Sequence, residues 1–165
     1  MRKSSVVLVA FVSTTVIAVL LAAPARAAAT RVTGLQIPDL ENACPETSIG
    51  TFTMEGGLIG CWYTDEFSAV REHPSGTVQI TGTEHFVGCL DHGLDGSCVG
   101  DLAGTLTFSF QFSGMYDLVT FAEIRGRCEH LVVSGTGGFA NAGGVITFKD
   151  DVSTGIASYS GAVRI

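Results

Sequence analysis

Thr105-Leu106-Thr107-Phe108-Ser109-Phe110-Gln111-Phe112 alternates polar and apolar side chains without a break. Successive side chains of a strand point to opposite faces, so this stretch has one wet face and one face of Leu106, Phe108, Phe110 and Phe112 that needs burial. A helix would repeat its apolar positions every 3.6 residues, and this segment does not.

Outward from that strand the same two-residue period continues. Thr77 to Val87 sets Val78, Ile80, Gly82, Glu84 and Phe86 on one side, which places a carboxyl group among apolar neighbours. Further strands are expected at Gly50 to Tyr63, Leu118 to Ile124, Cys128 to Ser134, Val145 to Lys149 and Ile156 to Ile165, each bounded by Gly, Asp or Ser turn chemistry. The chain has 21 glycines and four prolines and lacks a long helical stripe after its N-terminal region, so an all-β domain is expected. Glycines within the strands, such as Gly57, Gly60, Gly82, Gly126 and Gly161, suit the bends by which an antiparallel sheet closes into a barrel. Closure also removes exposed edges.

The N-terminal residues point to export. Arg2 and Lys3 precede an apolar stretch from Val6 to Ala23, and Ala25-Arg26-Ala27 offers an A-x-A cleavage site. Ser13, Thr14, Thr15 and Pro24 interrupt or end the stretch, which suits a cleaved signal better than a permanent span of roughly 30 Å. The expected organisation is a signal peptide over 1–27, an N-terminal arm over 28–48 carrying Pro38 and Pro45, and a barrel over 49–165. The expected product is a secreted, extracellular domain without a stable membrane anchor.

Cleavage after Ala27 leaves six basic against sixteen acidic residues, a formal charge of −10. With the cations scattered along the chain and no basic cluster in sequence, nucleic acid is not an expected partner, and anionic membranes are disfavoured for the same reason. The expected partner is a small apolar molecule.

Five cysteines follow the cleavage site: Cys44, Cys61, Cys89, Cys98 and Cys128. Outside the cytoplasm they are expected to pair, with one left over. Cys89 and Cys98 flank the turn-rich segment Leu90 to Ser97, and a bridge closing that loop is expected. A loop this short contributes about 2–3 kcal/mol in the chain-entropy model. The pairing of the other three is left open by their spacing.

Val133-Ser134-Gly135-Thr136-Gly137-Gly138-Phe139-Ala140-Asn141-Ala142-Gly143-Gly144 resembles a strand-turn-strand of the allene oxide cyclase and dirigent barrels, which reads roughly V-x-G-[ST]-G-x-F-x-x-A-x-G. The segment is also similar to the late hairpin of small bacterial domains with the same barrel, whose acidic turn and Tyr-x-Gly strand resemble Asp150-Asp151 and Tyr159-Ser160-Gly161. The resemblance implies an eight-stranded antiparallel barrel with a lumen, in which some members bind or cyclise apolar molecules. It carries over no catalytic residue. On physical grounds the glycines permit positive φ in the turn, and Phe139 can fold back over the barrel end.

Glu84 is the leading candidate for chemistry, because a carboxyl group in an apolar lumen can donate or accept a proton. Trp62, Leu106, Phe108, Phe110 and Phe112 are expected to line a ligand site, and Glu123 and Arg125, two residues apart, are expected to share a face and pair or orient a polar group. His130 and His85 invite comparison with an acid-base pair, but no Cys/His cluster has metal-ligand spacing. The loop carrying Asp91, Asp95 and Asp101 lacks a calcium-loop pattern and is expected to be solvated. No metal and no cofactor is expected. Three functions fit these residues: a barrel that binds a small apolar molecule, an isomerase or cyclase acting through Glu84, and an interaction protein whose lumen is filled by its own side chains.

Overall fold

The computed structural model describes residues 28–91, 98 and 103–165. The expected signal peptide over 1–27, and Asp95 and Asp101 of the acidic loop, lie outside the described residues.

Eight strands form the domain: β1 (Ala29–Pro38), β2 (Gly50–Gly56), β3 (Leu58–Glu72), β4 (Thr77–Leu90), β5 (Ala103–Tyr116), β6 (Glu123–Gly135), β7 (Gly143–Asp151) and β8 (Ile156–Arg164). Each pairs antiparallel with its neighbours in sequence, and β8 pairs with β1 to close the barrel. Among the described residues the sole helical piece is a 3-10 turn at Gly137–Phe139.

Three expected boundaries need correction. The segment read as an N-terminal arm contributes β1, whose residues Ala29 to Gln36 pair with Arg164 to Ala157 of β8. Its weak alternation had concealed a strand that closes the barrel. The single strand expected over Gly50 to Tyr63 is two strands with a corner at Gly56-Gly57, where Gly56 has φ +100° and the Gly57 N–H donates to Thr33 O at 2.8 Å. A side chain at Gly56 would run into the Thr33 carbonyl. Leu118 to Ala122, expected as strand, forms the β5–β6 turn; Asp117 Oδ1 accepts from the Val119 and Thr120 N–H groups at 2.9 and 2.7 Å, an Asx-type lock that holds the chain out of the sheet.

The two ends of the barrel differ. At the end carrying the β2–β3 and β6–β7 connections, Phe139 folds over the lumen and is fully buried, with its ring 6.1 Å from that of Phe86. Leu58, Leu90, Leu106 and Val163 complete this plug. Tyr159 pins the same end: its hydroxyl accepts from the Leu58 N–H at 2.8 Å and donates to Glu55 O at 3.0 Å. Burial pushes its phenol up to about 12.

Cys89 and Cys98 are joined, as their spacing led us to expect. Cys44 and Cys61 form a second bridge, with Cα atoms 5.7 Å apart, and Cys128 is free and buried. The second bridge fastens the β1–β2 connection over the outer face of β3. Tyr63 is fully buried there, stacked on His85 at 4.7 Å. His85 bridges Asp65 at 2.7 Å and Glu46 of the connection at 3.1 Å.

Candidate functional site

Strand parity brings one polar group from β4 and one from β6 into the lumen. On β6, Gly126, Cys128, His130 and Val132 are buried while the residues between them are exposed. On β4, Glu84 lies between buried Gly82 and Phe86. The two faces meet across β5, and Glu84 Oε2 lies 2.6 Å from His130 Nε2. The relative exposure of Glu84 is 8% and that of His130 is 2%.

Three donors surround the Glu84 carboxylate. Trp62 Nε1–H donates to Oε2 at 2.6 Å and the Thr64 hydroxyl to Oε1 at 2.8 Å. Indole nitrogen can only donate. Glu84 therefore acts as an acceptor, and the third bond is supplied by His130 Nε2–H. This leaves Nδ1, which is buried and has no hydrogen-bond partner. A bare Nδ1 costs less than an unpartnered N–H would, so the Nε2–H tautomer fits the surroundings best. Aromatic rings hold the imidazole in place: Phe148 at 4.6 Å, Trp62 at 5.2 Å and Phe110 at 5.8 Å between centroids.

Above this pair a cavity of about 220 Å³ opens toward the end carrying the β5–β6 and β7–β8 turns. Its walls include Phe52, Phe110, Phe112 and Phe148, with Glu84 and His130 below and Tyr116 and Asp150 above. Phe67 joins them, because register shifts between the Thr64 and Glu66 pairs and between the Phe67 and Ala69 pairs change the parity of β3.

The expected ligand-binding residues divide. Phe110 and Phe112 line the cavity, whereas Leu106 and Phe108 are fully buried in the filled part of the barrel. Trp62 is fully buried, stacked on Phe108 at 4.4 Å, and reaches the site through its bond to Glu84. Glu123 and Arg125 do not share a face. The pairing jumps from Met115–Arg125 to Tyr116–Glu123, so Ile124 is bulged and Arg125 points outward. There Arg125, Arg127 and Lys149 line one outer groove, so half of the six lysines and arginines among the described residues gather on a face that their scatter in sequence did not suggest. His85 lies on the outer face of β4, one residue from Glu84, and cannot act with His130. Asp91, expected in a solvated loop, is buried, and its N–H donates to Gly57 O at 3.1 Å.

The bulge turns Glu123 inward instead, toward Asp150 of β7. A side chain at Gly126 would run into Asp150 Oδ2 and Glu123 Oε1 alike, so the glycine makes room for the carboxyl pair. Burial first, and then Asp150, hold Glu123 above the usual carboxylate range. Burial likewise raises Asp150, partly offset by its hydrogen bond with the Glu123 carboxyl. Burial and then the negative charge of Glu84 and Asp150 push the Cys128 thiol far up, which makes it unreactive. Among the described residues no group of three or more His, Cys, Asp and Glu side chains could hold a metal ion.

Parity in β6 could have singled out His130 as the partner of Glu84. Asp150, Tyr116 and Phe148 gave no comparable signal, because their role depends on which strands the closed barrel brings together. No family model, curated protein or solved structure matches the chain.

Proposed function

We propose that this protein binds one small, predominantly apolar molecule in the open half of its barrel. The observation that carries this reading is the cavity of about 220 Å³ walled by phenylalanines, above a lumen that is otherwise filled. A barrel serving only as a scaffold gains stability by packing its lumen to the density of a protein interior. The open half argues against the interaction-protein reading. Ligand pockets for drug-sized molecules are roughly 300–1,000 Å³, so the occupant is smaller than these.

A second reading, proton transfer on such a molecule by a barrel isomerase or cyclase, is favoured by one specific feature. Glu84 orients His130 through Nε2 and leaves Nδ1 unpartnered, an arrangement by which a carboxylate prepares an imidazole base. Membership among the allene oxide cyclase and dirigent barrels is part of the proposal, and the eight-stranded closed topology is what that resemblance implies. So is export with maturation near Ala28; the two disulfides fit an oxidising compartment.

Ligand-induced stabilisation tests the binding reading. An aromatic alcohol such as 2-phenylethanol should raise the Tm of the wild type in a concentration-dependent way, as any ligand of the folded state does. Ile80→Phe, which fills the cavity, should remove that rise. Equal shifts in both proteins would place binding elsewhere, and no shift in either would remove the support for a lumenal site.

A further inference from the structure

We propose that the lumen selects a small organic cation, an ammonium group on an apolar body. This inference rests on the lumenal-binding reading and names its ligand class.

The walls and the polar groups agree in sign. Six aromatic rings line the cavity: Phe52, Phe67, Phe110, Phe112, Tyr116 and Phe148. Ring faces carry negative potential, and cages of such rings attract ammonium groups. The carboxyl groups lining it are Glu84 and Asp150, with Glu123 beside Asp150 over Gly126. Among the described residues no lysine or arginine lines it. A carboxylate or phosphate ligand would add negative charge to this site without a cation to pair it, which is costly away from water.

The unmatched atoms point the same way. Glu123 Oε1 and His130 Nδ1 are the two buried side-chain polar atoms without a hydrogen-bond partner among the described residues, and the His130 side chain is only 3% exposed. With Nε2–H committed to Glu84, both orphans are acceptors. The donors that line the cavity, the Gln36 amide and the Tyr116 hydroxyl, are neutral, and no cationic donor answers its carboxyl groups. A protonated amine supplies up to three N–H groups and a positive charge that pairs with the negative charge of the carboxyl groups at this end.

The test compares three probes of one shape, 2-phenylethylamine, 2-phenylethanol and phenylacetate, by calorimetric titration of the folded protein at neutral pH. The amine should bind at least about tenfold more tightly than the alcohol, and phenylacetate should bind least. Asp150→Asn and Glu123→Gln, checked for native circular dichroism, should each collapse the amine-to-alcohol ratio toward one. If Asp150→Asn does not fold, Glu123→Gln carries the comparison. Wild-type affinities that are equal for amine and alcohol, or a ratio that survives in the folded variants, would overturn cation selectivity and leave lumenal binding standing. Absence of binding by all three would overturn both.

Discussion

Glu84 and His130 lie 46 positions apart, on strands separated by β5, yet Glu84 Oε2 and His130 Nε2 are 2.6 Å apart inside the barrel. Trp62 and Thr64 from β3 donate to the same carboxylate, so one side chain on β4 gathers groups from two other strands, β3 and β6. Removing it should be felt through all of them. Glu84→Leu strands the Trp62 N–H, the Thr64 hydroxyl and His130 Nε2, and should cost about 3–5 kcal/mol in urea unfolding. Glu84→Gln retains the shape and part of the bonding and should cost about 1–3 kcal/mol. Equal stability of all three proteins would contradict the bonding described.

Glu123 and Asp150 should make stability depend on pH in a defined direction. Both groups have folded-state values raised above the ordinary carboxylate range, so the folded chain holds protons more tightly than the unfolded one. Their unfavourable contribution is absent below the unfolded value of about 4 and grows as pH rises through the raised values. Glu123→Gln should therefore stabilise the protein at pH 7, by up to about 1 kcal/mol given solvent screening at the mouth, and the gain should vanish toward pH 3. A gain that is largest in acid would refute this.

Cys128 should be silent toward thiol reagents. It is buried in the lumen with its thiol pushed far up, and the other four cysteines are paired. Reaction with a disulfide reagent should give no rapid thiol in the native protein and one per chain after denaturation. A fast native thiol would contradict the placement.

The Tyr159 hydroxyl closes the β2–β3 corner by accepting from Leu58 N–H, a contact spanning 101 positions. Tyr159→Phe should cost about 1–3 kcal/mol in denaturant unfolding, because the buried amide is left without an acceptor. A neutral effect would show that water replaces the hydroxyl.

Much of this arrangement is legible from alternation alone. The inward faces of β4 and β5 follow from Val78 to Phe86 and Leu106 to Phe112, the all-β class follows from strands without helices, and closure into a barrel is suggested by the glycines within the strands and by the resemblance. The bulges are not legible. One extra residue at Ile124 reverses the face of Glu123 relative to Arg125, and the shifts beyond Thr64 turn Phe67 inward, yet neither leaves a compositional mark. β1 was hidden for a related reason: Thr30 to Pro38 alternates weakly, and its place is set by β8 and β2 on either side. The carboxyl pair of Glu123 and Asp150 depends on β6 lying beside β7, which local periodicity does not encode.

The most direct test of lumenal binding is native mass spectrometry of the protein purified without denaturation. The account predicts a non-covalent adduct of one small molecule per barrel, released on activation and absent from Ile80→Phe. Wild-type protein that carries no adduct, and acquires none from 2-phenylethylamine or 2-phenylethanol, would contradict it.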